Sequence, residues 1–98
     1  MNMSQLHLIC KNLTLAELSR QSQLILAKDQ LLLIADATLM LTQKELITFI
    51  QSLDNTCYIL EADVRCRGLS EYAKSDLQII NDQQMVDLCA NSQKVISW

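Results

Sequence analysis

The stretch CYILEADVRCRGL, residues 57–69, constrains the fold more than any other part of the chain. An apolar run of strand type (Cys57, Tyr58, Ile59, Leu60) meets the acids Glu61 and Asp63, then a short helical stretch, then Gly68, the single glycine in the sequence. A buried strand that turns over its carboxyl end into a helix uses residues in this order. The acids complement the positive end of the helix dipole, and glycine supplies the left-handed stop. The rest of the chain reads as repeats of this unit.

Residues 5–10 (QLHLIC) form the first strand, with His7 inside it. Thr14-Leu15-Ala16-Glu17 matches a capping box, in which hydroxyl and carboxylate each accept from a backbone N–H left unpaired at a helix start, with Leu13 and Leu18 as the hydrophobic staple. The spacing predicts a helix over residues 15–27, with Leu15, Leu18, Ser22, Ile25 and Leu26 facing inward. Lys28-Asp29-Gln30 is a short connection into residues 31–35, an unbroken apolar run that reads as a strand buried on both faces. After Asp36, residues 37–41 fit either a loop or an early helical turn. Thr42-Gln43-Lys44-Glu45 matches a second capping box, stapled by Leu41 and Leu46, before a helix with Leu46, Phe49, Ile50 and Leu53 as its buried stripe.

Asp54-Asn55 turns into the 57–60 strand and the 61–67 helix. A polar loop then leads to a strand at residues 77–80. Asn81-Asp82-Gln83-Gln84 matches a third capping box, stapled by Ile80 and Met85, and its helix presents Met85, Leu88 and Cys89 at helical spacing. Residues 94–98 (KVISW) form the last strand. Strands alternating with helices predict one domain over residues 1–98 of the α/β class: a three-layer α/β/α architecture around a mostly parallel five-stranded sheet.

Several chemistries lack a source in this composition. With a net charge of −3 and no run of Lys or Arg, the chain has no electrostatic footprint for direct nucleic-acid binding. The cysteines Cys10, Cys57, Cys66 and Cys89 have no C-x-x-C spacing, and His7 is the lone histidine, so neither a metal site nor a cofactor is expected. Reduced thiols in a cytoplasmic protein are the default. Lys11, Glu17 and Arg20 interrupt any signal-peptide core, and the 31–35 run is far too short to span a bilayer, so no membrane role is expected. A single glycine rules out a P-loop or dinucleotide fingerprint.

Active sites on open parallel sheets gather at the carboxyl ends of the strands. The candidates there are Cys10, Asp36, Glu61, Asp63, Asn81 and Asp82. Helix starts select the same acids and amides for capping, which is the reading preferred for Asn81, Asp82 and Glu61. His7, inside a strand, reads as a hydrogen-bonded packing residue rather than a base. Cys57 and Cys89 read as small buried hydrophobes, and the arginines flanking Cys66 point in other directions on a helix. Cys10 is the one cysteine placed to serve as a reactive thiolate. A chain that is 50% hydrophobic and has no convincing catalytic set suits a permanent subunit of a larger assembly.

With these elements placed, the sequence resembles the DsrH/TusB family of sulfur-relay proteins. The resemblance rests on Leu6-His7, the 31–36 strand with its terminal acid, Tyr58-x-Leu60-x-x-Asp63 leading into Arg67-Gly68-Leu69, Ile79-Ile80, Val86-Asp87-Leu88 and Trp98. It implies a five-stranded parallel sheet between helices. It also implies a role in the cytoplasmic TusBCD complex, which relays persulfide sulfur toward 2-thiouridine at the tRNA wobble position. There the TusD-type subunit carries the sulfur-accepting cysteine and the TusB-type subunit is a structural partner, within a dimer of heterotrimers.

The sequence also departs from the family's pattern. It has no cysteine between Cys10 and Cys57, where sulfur-oxidiser relatives carry one in the first helix, which favours the non-catalytic assignment. Ala37 stands where the family often has glycine. Cys66 stands where alanine is typical, which suits a packed position. The expectation is therefore a non-catalytic partner of TusC-like and TusD-like subunits in a heterohexamer. The alternatives are a persulfide carrier using Cys10, or a homo-oligomer in isolation.

Overall fold

The computed structural model describes residues 4–74 and 77–98. Residues 75 and 76, part of the expected polar loop, lie outside the described residues. Five strands, β1 (Gln5–Ile9), β2 (Gln30–Leu33), β3 (Cys57–Leu60), β4 (Gln78–Ile80) and β5 (Lys94–Ser97), form one sheet in the order β4-β3-β2-β1-β5, with every pair parallel. The helices are α1 (Leu15–Gln21), α2 (Lys44–Ser52), α3 (Glu61–Cys66) and α4 (Asp82–Asn91). The chain is an α/β fold, as the alternation of elements predicts.

The strand order explains how the two faces are covered. From β1 to β4 the chain steps steadily toward one edge, so its crossovers share a face; from β4 it returns to β5 at the opposite edge, and that reversal sends α4 across the other face. The first face holds the main core: Ile9, Leu31, Leu33 and Ile59 from the strands pack with Leu18, Met40, Leu46, Ile50 and Val64. The second face holds Leu6, Leu32 and Ile80, with Met85, Leu88 and Cys89 of α4 only partly buried against them. None of the residues of α4 is fully buried.

Local signals succeed where nothing long-range competes. Thr14 and Glu17 form the first capping box, and Asn81 and Gln84 form the third. At the end of α3 the N–H of Leu69 donates to the Val64 carbonyl and that of Gly68 to Arg65, a Schellman stop with Gly68 at φ +66.

Three expectations are corrected and one open choice is settled. The first helix ends early: α1 stops at Gln21, a short 3-10 turn covers Ser22–Leu24, and Leu15 and Leu26 are exposed rather than inward. Residues 35–42 form a 3-10 stretch, which resolves the choice between loop and helical turn. Thr42 therefore does not cap α2; its hydroxyl donates to the Leu39 carbonyl, and Gln43 precedes the helix without a side-chain cap. Leu41 and Leu46 are buried even so. Cys66 is exposed, not packed.

Candidate functional site

The carboxyl ends of the central strands bring together Asp36, Asp63 and Arg67. β2 leaves the sheet through Ala35, whose φ of +52 is a left-handed conformation for a residue with a Cβ. Asp63, in the first turn of α3, holds that corner: its Oδ2 accepts from the Ala35 N–H at 2.7 Å. Arg67 closes the bracket, with Nη2 3.1 Å from Asp36 Oδ1 and Nη1 3.7 Å from Asp63 Oδ1. The backbone strain thus sits at Ala35, two residues before Ala37, which is buried inside the 3-10 stretch. Replacing Ala35 with glycine is expected to raise stability by about 0.5–1 kcal/mol in urea unfolding, because the left-handed cost disappears; valine there should lower it.

The other edge candidates act locally. Glu61 pairs with Arg65 at 2.7 Å, but both are largely exposed and such a pair contributes little. Asn81 caps α4, and Asp82 lies in its first turn. Cys10, just past β1, is half-buried with its Sγ 4.0 Å from the Leu8 carbonyl. Burial pushes the Cys57 thiol up to about 12, so it holds essentially no thiolate near neutral pH. Cys89 is half-buried under α4. Among the described residues, no group of three or more His, Cys, Asp or Glu side chains could hold a metal ion. No helix among them is long and apolar enough to cross a membrane.

The most connected polar group of the core is one that no sequence motif marks. Asp29, part of the short connection into β2, is buried and accepts from three partners: the N–H of Gln5 at 3.1 Å, the N–H of Leu26 at 3.0 Å and the His7 ring at 2.8 Å. The other ring nitrogen of His7 faces the Trp98 indole, with Nε1 3.0 Å from Nδ1. An indole N–H only donates, so Nδ1 must accept and the His7 proton sits on Nε2, aimed at Asp29. With both nitrogens engaged, His7 sits in the strand as a hydrogen-bonded packing residue. The signal in the sequence was a histidine in an otherwise apolar strand, which demands buried partners; nothing local says that they lie 22 and 91 residues away.

Burial alone would raise the Asp29 carboxyl, but the hydrogen bonds from Leu26, His7 and Gln5 outweigh it and hold the group below its ordinary 3.8. Glu17 is held low by its capping bonds to Thr14. A cleft of about 140 Å³ opens beside Trp98, lined by Lys11, Glu17, Arg20 and Gln21. A larger groove of about 410 Å³ lies between β4 and α4 on the thinly covered face, with Gln30, Tyr58, Gln78, Gln84 and Asp87 along it. No curated protein matches the chain. A family model described as DsrH like protein matches residues 13–95, most of its length.

Proposed function

The chain belongs to the DsrH-like family, and from that premise we propose that it is a non-catalytic structural subunit of a TusBCD-type complex passing persulfide sulfur toward 2-thiouridine at the tRNA wobble position. Family membership supports a role in sulfur relay alongside other subunits. The observation that carries the structural role is the thin cover of the second sheet face. There α4 buries no residue fully, and Val86 and Val95 stand 59% and 41% exposed on or beside that layer. Apolar side chains of this kind are what a partner subunit covers.

The carboxyl edge supports the same reading, because Asp63 is engaged at the Ala35 corner and Arg67 pairs with Asp63 and the exposed Asp36. TusC-like and TusD-like subunits are the proposed partners, in a heterohexamer, with the sulfur-accepting cysteine on the TusD-like chain. A cytoplasmic setting, where thiols stay reduced, belongs to the proposal. Co-expression with the TusC-like and TusD-like proteins of the same organism should give one stable hetero-oligomer on gel filtration; separate elution of the three would count against it.

A persulfide carrier using Cys10 is the second reading, favoured by the place of that thiol at the carboxyl end of a central strand. Incubation with a persulfide donor followed by mass spectrometry separates the two. One added sulfur that disappears in Cys10→Ser favours the carrier.

A further inference from the structure

The His7–Trp98 hydrogen bond joins a fully buried imidazole to a partly buried indole, and it depends on one lone pair. We propose that this pair is a proton-operated latch: a proton taken up from solvent at His7 Nδ1 releases the Trp98 indole and opens the cleft that the indole walls, while Asp29 keeps the imidazole in place.

The geometry distinguishes the two sides of the ring. On the Asp29 side, Nε2–H already points at a carboxylate 2.8 Å away, and an imidazolium there would gain a full ion pair. On the Trp98 side, the indole N–H points at Nδ1 from 3.0 Å. A proton on Nδ1 turns that contact into two donors face to face, and the indole has no acceptor to offer. The ring centroids are 5.6 Å apart with planes at 81°, an edge contact that provides no stacked alternative. Protonation therefore tightens one side and breaks the other. The one covalent change is the new Nδ1–H bond, formed as a solvent hydronium gives up its proton; everything else that changes is a hydrogen bond.

The approach to β2 presents Asp29 to the ring. α1 presents Glu17 and Arg20, and the loop after β1 presents Lys11, around the cleft beside the indole. Asp29 stays ionised through the range where imidazoles titrate, because its hydrogen bonds keep it an acceptor well into acid. Trp98 also donates its backbone N–H to the Leu8 carbonyl at 3.0 Å, so the side chain can swing while the strand end stays attached.

Trp98 is the only tryptophan in the chain, so its signals are unambiguous. The full chain, labelled with ¹⁵N, should be titrated from neutral pH into acid until the imidazole nitrogens report the added proton, following them and the indole N–H together. The proposal predicts one transition shared by both, with indole N–H exchange at the acid end faster by about fivefold, the loss of one net hydrogen bond. In His7→Asn, whose amide oxygen can accept from the indole without titrating, Trp98 fluorescence should be flat across the same range. If that variant does not fold, the coincidence of midpoints in the native chain still decides. An indole signal that stays fixed, moves with a midpoint different from that of the imidazole, or keeps its transition in a folded His7→Asn variant overturns the proposal.

Discussion

Replacing Asp29 with alanine is expected to cost about 3 kcal/mol, which for a domain of this size is a large part of the total and corresponds to a drop of roughly 12–24 °C in Tm. The loss comes from what is left behind. Gln5 and Leu26 lose the acceptor for their backbone N–H groups, and His7 keeps a buried N–H with no partner, each carrying a desolvation penalty. Urea unfolding at neutral pH measures the effect; a change below about 1 kcal/mol would show that the network contributes little.

The same carboxylate gives a pH dependence with a definite sign. Its folded value lies below its ordinary 3.8, so its contribution is fully present above that value and disappears as pH falls through the folded one. The native chain should therefore lose stability more steeply below about pH 4 than Asp29→Asn, which has no charge to titrate.

Leu33→Ala is the second large effect, at about 3 kcal/mol. β2 is the middle strand of the sheet, with β3 and β1 hydrogen-bonded on either side, and the Leu33 side chain is fully buried in the main core. Truncation leaves a cavity that paired strands cannot collapse into. Leu26→Ala should fall within about 0.5 kcal/mol, since that side chain is 62% exposed. Helical periodicity places Leu26 inside, so the contrast in urea midpoints between the two variants distinguishes the observed packing from an uninterrupted helix over residues 15–27.

These two leucines show where sequence patterns are enough. Leu33 lies in a short continuous apolar run, and a parallel strand covered on both faces leaves such a run few alternatives. Leu26 lies in a helical pattern with no glycine or proline to stop it. The stop comes from elsewhere: the Leu26 N–H is taken by Asp29, which is itself held by His7 on another strand. Thr42 makes the same point in miniature. Its box is complete in sequence, but Thr42 is itself the last residue of the 3-10 stretch, so Gln43 takes the extended N-cap position instead. Thr14 and Asn81 are themselves extended, as an N-cap requires, and both boxes close.

The candidate site was legible in its membership more than in its use. Asp36, Glu61, Asp63, Asn81 and Asp82 stand near the carboxyl ends of β2, β3 and β4, as strand-to-helix order requires. What Asp63 does there depends on a left-handed corner at Ala35, 28 residues away, and no residue type announces that corner. The exposure of Cys66 is similarly a matter of which face of a six-residue helix meets the core, and Val64 is the residue that takes that place.

The proposed function has this chain supply surface and not sulfur chemistry. It is tested most directly in a complex reconstituted with TusC-like and TusD-like partners, in which Cys10, Cys66 and Cys89 of this chain are all replaced by serine and the buried Cys57 is left in place. Persulfide transfer through that complex should equal that of the unsubstituted complex, and should collapse when this chain is omitted. Loss of transfer in an intact complex carrying the three serines would contradict the account.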